Sequence, residues 1–158
     1  AASTGIFQAD VTVQNLIGQA LGTTDGAAGH ADGVRIFFHS GPTVTSGSGT
    51  VVVANDDGTG AFTGSNQPYF QYGGSVDDRL GADDILAPGE VSASKTWQWQ
   101  LDAGVLTFEF SVYVWGEVQY PDGWIDVVPA TQTLELGGGG PSTVALDATV
   151  RDVLGREV

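Results

Sequence analysis

Apolar and polar residues alternate with a period of two along most of this chain, and no other feature constrains its fold as strongly. The longest alternating segment runs from Val105 to Val118, and a shorter one from Ser94 to Leu101 carries Trp97 and Trp99 at alternate positions. Successive side chains of a strand point to opposite faces, so each segment predicts a strand with one buried face. No segment shows the 3.6-residue period of an amphipathic helix. The sequence therefore predicts an all-β fold.

Short polar segments rich in glycine and aspartate separate the alternating ones. Residues 22–33 and 73–89 have the composition of loops, and Asp57-Gly58 between two β-prone runs predicts a hairpin. Tight turns and strands with one packable face predict a β-sandwich over residues 1–119. The composition changes at Tyr120 to Gly123, which separates a second segment, residues 120–158.

Two parts of the chain resemble known families. Val128-Pro129-Ala130, Leu134 to Gly137, Ala148 to Asp152 and Gly155 to Val158 together resemble the opening of a bacterial immunoglobulin-like domain of group 2. In the larger, first part of the chain, four segments are similar to an amino-terminal module of exported surface proteins: Val13 to Leu16, Val34 to His39, Asn66 to Phe70 and Ile85 to Gly89. The resemblance implies an extracellular, non-enzymatic, immunoglobulin-like β-sandwich followed by an incomplete second immunoglobulin-like segment.

Charge and composition exclude several function classes. The 19 acidic residues against 5 basic ones give a formal net charge of −14, which repels nucleic acid and anionic lipid. The chain has no cysteine, and only His30 and His39 could serve as histidine ligands. No apolar stretch is long enough to span a membrane. The small residues Ala1, Ala2 and Ser3 are typical of a chain exported after signal-peptide removal, so we expect an extracellular or cell-surface location.

Paired aspartates in the long acidic loop offer oxygen ligands. Asp77-Asp78 and Asp83-Asp84 could hold calcium, which prefers carboxylate and carbonyl oxygens. The pairs lack the spacing of an EF-hand, and plain solvated charge is the favoured interpretation of them. We expect that the protein requires no cofactor, and calcium is the candidate ion for these residues.

The aromatic residues divide into two sets. Trp97 and Trp99 alternate with polar residues, which predicts core packing. Tyr113 and Trp115 lie on the polar face of the longest strand and need a cover there: a loop, a subunit or a ligand. A sugar is one such ligand, so a carbohydrate-binding module is the alternative function. His39 and Ser40 are adjacent in a strand and point to opposite faces, so no catalytic pair is evident and we expect no enzyme.

The carboxy-terminal segment carries an apolar row that it is too short to cover by itself. The row consists of Val144, Leu146, Ala148 and Val150, and Gly137 to Gly140 precede it as a plausible hinge. The row either folds back on the first sandwich or is donated as a strand to a neighbouring copy. Donation predicts a homopolymeric filament with these four residues, Tyr113 and Trp115 at the subunit interface. The expected function is a structural or adhesive surface module.

Overall fold

The computed structural model describes residues 4–119, 124–128 and 147–151 and divides the chain into two compact units, Ala1–Gln119 and Tyr120–Val158. The strands are β1 (Thr4–Val11), β2 (Val34–Gly47), β3 (Val51–Val53), β4 (Gly58–Gly60), β5 (Gln67–Tyr72), β6 (Lys95–Asp102), β7 (Val105–Gly116), β8 (Trp124–Val128) and β9 (Asp147–Arg151). The described residues contain no helix, so the prediction of an all-β chain is confirmed. In particular, no described helix has the length and apolar character needed to cross a membrane.

The first unit consists of two antiparallel sheets. One has three strands in the order β1-β6-β3, and the other has four in the order β4-β5-β2-β7. In the second unit, β8 and β9 form an antiparallel pair in which Ile125 lies opposite Val150 and Val127 opposite Ala148. The described strands of the first unit therefore form the sandwich-like arrangement of two sheets that the alternating pattern predicts.

Two tryptophans of β6 join the sheets. Trp97 and Trp99 are each 2% exposed, as the alternation in β6 predicts. The Trp97 ring stacks on Phe70 of the opposite sheet, with ring centroids 4.4 Å apart and planes 11° from parallel. Trp99 stacks on Phe110 of β7, with centroids 5.3 Å apart. Large rings on one strand therefore fill the space between both sheets.

A short hydrogen-bond chain satisfies the polar atom of Trp97 inside the core. The Trp97 Nε1–H donates to the Tyr72 hydroxyl oxygen at 3.1 Å, and that hydroxyl donates to the Val11 carbonyl at 2.9 Å. Burial raises the pKa of Tyr72 to about 12, so its hydroxyl remains a donor at neutral pH. These two hydrogen bonds connect β6 and β1 of the three-stranded sheet through Tyr72 of β5 in the four-stranded sheet.

The prediction of a hairpin at Asp57-Gly58 is wrong. The strands on either side belong to different sheets, because β3 pairs with β6 and β4 pairs with β5. Asn55 exchanges two hydrogen bonds with the backbone of β6, at Thr96 and Gln98. These bonds hold the connection against the three-stranded sheet, and the chain then crosses to the other sheet. Hydrogen bonds to distant strands thus override the local turn preference.

Strand β2 is longer than the alternation predicts and continues through a loop-like sequence. Val34, Ile36 and Phe38 alternate with Arg35, Phe37 and His39, which predicts a strand over these six residues, but β2 extends to Gly47, paired with β7 through four register shifts. Such irregularities are β-bulges, which bend and twist a strand pair without ending it. At Gly47, φ is 91° and a Cβ atom would clash with the Gly104 carbonyl oxygen, so the end of this pair requires glycine.

The core packing predicts a large effect of Trp97→Ala. Removal of a fully buried ring that stacks on Phe70 and holds the Tyr72 hydroxyl is expected to lower the free energy of unfolding by about 3–5 kcal/mol. Urea titrations followed by circular dichroism measure this change. Leu16→Ala is the control, because Leu16 is 82% exposed and its truncation should change stability by no more than about 0.5 kcal/mol. Similar costs for both variants would contradict the packing described here.

Candidate functional site

An apolar groove runs between the edges of the two sheets in the first unit. Among the described residues, β1 pairs only with β6 and β7 pairs only with β2, so each is the outer strand of its sheet. The two outer strands lie on the same side of the unit, since the rings of Phe7 in β1 and Phe108 in β7 are 5.8 Å apart. We call this feature the β1–β7 groove. Its apolar lining comprises Phe7, Val11, Leu106, Phe108, Phe110, Val112 and Val114.

The groove leaves the predicted inner face of β7 partly open. Alternation correctly places the five apolar residues from Leu106 to Val114 on the face toward the other sheet, but three of them are exposed. Leu106 is 75% exposed, Val114 52% and Phe110 38%, and Phe7 across the groove is 50% exposed. The expectation that this face is buried is wrong for these positions. The reason is positional: β7 is an outer strand, and no described strand covers its free side.

Two openings lie along the groove. The larger, of about 510 Å³, is bounded by Phe7, Leu101 and the β7 residues Val105, Leu106, Thr107, Phe108 and Phe110. The smaller, of about 250 Å³, is bounded by residues 11–14, Ile36, Trp97, Val112 and Val114. Each is open to solvent and has a mostly apolar lining. The groove thus offers space for several apolar side chains rather than for one compact ligand.

Aromatic rings form the floor of the larger opening. Trp99 lies 5.7 Å from both Phe7 and Phe108, measured between ring centroids, and stacks on Phe110. Its buried Nε1–H has no acceptor among the described residues. The rings support each other from both sheets, so the floor is preformed. A group that enters the opening would gain contacts without reorganisation of the core.

The chemistry of the groove favours a polypeptide strand. An outer strand presents unpaired backbone N–H and C=O groups along its free side, and these groups pair readily with another extended chain. The apolar residues beside them supply sites for alternate side chains of that chain. The polar lining residues are Thr12, Gln14 and Thr107, and none of the lining side chains is an acid or a base. The groove therefore has the properties of a binding site for an extended chain.

The predicted interface residues of β7 lie on the opposite face from the groove. Tyr113 is 47% exposed with its ring centroid 4.5 Å from that of His39, and Trp115 is half-buried beside Arg35. The Arg35 guanidinium also lies 4.8 Å from the Tyr69 ring centroid and donates to Asp32. Neighbouring side chains of the same sheet thus supply part of the cover that these two aromatics need.

The other predicted interface residues belong to the second unit. Val144 and Leu146 lie outside the described residues, and Ala148 and Val150 belong to β9. The groove residues are not among the interface residues that the sequence pattern predicts. The signal was present in the five alternate apolar residues of β7, but alternation alone does not tell an outer strand from a central one.

Three of the four candidate calcium ligands accept hydrogen bonds within the fold: Asp77, Asp84 and also Asp83, whose carboxylate accepts from the Ile85 backbone N–H at 3.3 Å. Asp77 accepts from the Gly73 backbone N–H at 2.8 Å and forms ion pairs with Arg79 and Lys95, both at 3.0 Å. Asp84 accepts from the Gly74 backbone N–H at 2.7 Å. Asp78 and Asp83 are exposed. In residues 4–119 and the two short strands, no group of three or more acidic or histidine side chains is arranged to hold a metal ion.

Lys95 joins the acidic loop to the core. It is 8% exposed, and its ammonium lies 2.5 Å from Asp57 and donates to the Gln71 carbonyl at 2.7 Å. Burial raises the pKa of Asp77, but the Gly73 N–H and the Lys95 ammonium outweigh this effect and hold the pKa below its usual 3.8. The Asp77 carboxylate therefore has a structural role beside Lys95.

Comparison with known proteins adds no assignment: no family model, no curated protein and no solved structure matches the chain.

The ion pairs of Lys95 predict a matched set of stability changes. Lys95→Met leaves Asp57 and Asp77 without their ammonium and is expected to cost about 3 kcal/mol at neutral pH. Asp77→Asn should reduce the acid sensitivity of folding. A carboxylate with a lowered pKa stabilises the fold above pH 3.8, and this stabilisation is lost as the pH falls through its folded pKa. Urea titrations from neutral to acidic pH measure both effects.

The control for this set is Asp78→Asn, because Asp78 is exposed and neighbours Asp77 in the sequence. It should unfold like the parent protein at every pH. An Asp77→Asn variant with the parent's full acid sensitivity would show that Asp77 does not contribute in this way.

Proposed function

We propose that this chain is an exported, non-enzymatic structural or adhesive surface module, built on an immunoglobulin-like sandwich, that associates with copies of itself into a polymer. One observation carries the proposal: an apolar groove in the first unit lies between two strand edges that no other described strand pairs. The resemblance to exported surface proteins supports the location and the absence of enzymatic activity.

The exposed apolar residues support a protein partner. Monomeric proteins rarely expose contiguous apolar patches, and natural sheets usually protect their outer strands with charge, proline or a covering loop. The free side of β7 instead exposes Leu106, Phe110 and Val114 next to unpaired backbone. Both features cost free energy in water and both are relieved when an extended chain binds. A groove of this shape suits a polypeptide better than a small molecule, whose sites are usually more enclosed.

The charge of the chain determines how association should respond to salt. Thirteen of the 19 acidic residues lie in residues 1–119 and six in residues 120–158, each in excess over the basic residues there. Copies of the chain therefore repel each other at low ionic strength. Apolar contacts and strand pairing are not weakened by screening, whereas the repulsion is. We expect association to increase with salt.

The alternative function, carbohydrate binding, depends on the other face of β7. Tyr113 is exposed enough to stack on a sugar, and this observation keeps the alternative open. Trp115 is a weaker candidate, because the Arg35 guanidinium lies 5.6 Å from its ring centroid and Trp115 is half-buried. A sugar platform would use Tyr113, whereas self-association through the groove would not.

Self-association is tested by the size of the native particle. In sedimentation velocity experiments, the mean mass should rise with protein concentration. It should also rise as the ionic strength increases from about 0.01 M to about 1 M, over which the Debye length falls from about 30 Å to about 3 Å. A chain that stays monomeric throughout would contradict the proposal. Sugar-dependent quenching of tryptophan fluorescence that Tyr113→Ala abolishes would favour the carbohydrate alternative.

A further inference from the structure

We propose that the β1–β7 groove is the acceptor site for the carboxy-terminal hairpin of a second copy, whose β9 pairs with the free side of β7. The inference rests on the proposed self-association and names its two surfaces. The donor is the segment 143–151, which contains β9, together with its partner strand β8. The acceptor is the free side of β7, flanked by β1 across the groove.

The lengths of acceptor and donor agree. The five alternate apolar residues of β7 extend from Leu106 to Val114, eight residue steps or about 26 Å at about 3.3 Å per residue. In an extended strand, the donor row from Val144 to Val150 would span six steps, about 20 Å. A strand of this length fits within the unpaired part of β7. Its alternate apolar residues then have the spacing of the acceptor positions, because both follow the period of two.

The donor hairpin has a free edge of its own. Among the described residues, β9 pairs with β8 on one side and with no strand on the other. A two-stranded hairpin is marginally stable by itself in water, so its addition to a larger sheet is favourable. Antiparallel addition to β7 gives the sheet order β4-β5-β2-β7-β9-β8, in which the last two strands come from the second copy. Neither hairpin strand has to unpair for this addition.

A hairpin closed by residues 120–123 would leave the groove open. The four residues 120–123 separate Gln119 from the start of β8 at Trp124. If they closed a hairpin, Trp124 would pair with Gln119 and Val128 with Trp115, which leaves the positions from Leu106 to Val114 open. Residues 20–22 already pair with residues 117–119 by backbone hydrogen bonds. A second copy reaches the open positions without these restrictions.

Disulfide trapping between copies tests the inference directly. The chain has no cysteine, so each introduced thiol is unique. Chains that carry Val114→Cys are mixed with chains that carry Leu146→Cys, Ala148→Cys or Val150→Cys, oxidised, and analysed by non-reducing electrophoresis and mass spectrometry. Val52→Cys on β3 is the control acceptor, because Val52 and Val114 are both 52% exposed. The expected result is a heterodimeric disulfide with Val114→Cys, strongest for one donor position, and none above background with Val52→Cys.

The possible results separate this inference from the proposed function. If parent chains assemble but Val114→Cys gives no more disulfide than Val52→Cys, the proposed acceptor site is wrong. The proposal of self-association is then unaffected. A single chain that carries both Val114→Cys and the donor cysteine identified by trapping should form disulfide-linked dimers and larger species. If it forms only an internally bridged monomer, the groove is covered by its own chain and the inference is wrong. Parent chains that never assemble would overturn both proposals.

A charge placed in the groove gives an independent test. Val114→Glu puts a carboxylate where the donor strand would exclude water and should lower the association constant at least about tenfold. Val52→Glu is its control, with the same residue change at the same exposure, and should leave association unchanged. Urea titrations of both variants establish that the first unit remains folded. Equal association of the two variants would contradict the acceptor site.

Discussion

The packing of Trp97 and Trp99 between the sheets is the interaction on which the rest of the first unit depends. Both rings come from β6, the central strand of the three-stranded sheet, and they contact Phe70, Phe38 and Phe110 from the other sheet. Rings of this size determine how far apart the sheets lie and which faces meet. Two hydrogen bonds, from Trp97 to the Tyr72 hydroxyl and from that hydroxyl to the Val11 carbonyl of β1, orient these side chains within the core.

The groove follows from the same arrangement. The sheets have three and four strands. Where β1 and β7 face each other, the tryptophans hold the sheets apart, and no other strand in the described part of the chain closes this side. Phe7, Phe108 and Phe110 pack on the Trp99 ring and line the groove at the same time. Core stability and an open apolar surface therefore depend on the same residues. This coupling explains why the groove is preformed, and preformed sites lose little free energy to ordering when they bind.

In the acidic loop, the cost of burying a charge is balanced by ion pairs and a hydrogen bond. A chain with a net charge of −14 has few cations to use, and Lys95 lies where it meets two carboxylates and a backbone carbonyl. Removal of an ammonium from water is costly, but each of these partners offsets part of that cost. Asp77 and Asp57 hold the loop and the sheet connection to β6 in this way. Asp77, one of the four candidate calcium ligands, is thereby used within the fold.

Alternation along the chain is sufficient to predict the strands, the all-β class and the side of each strand that carries apolar residues. It correctly placed Trp97 and Trp99 in the core, because alternation is a local property of the backbone. The order of the strands within each sheet, however, is known only from the folded structure. That order separates β3 from β4 despite Asp57-Gly58, extends β2 to Gly47 and leaves β7 at an edge. Strand order depends on contacts between residues far apart in the chain, so the alternation that predicts an apolar face on β7 cannot show that this face is open.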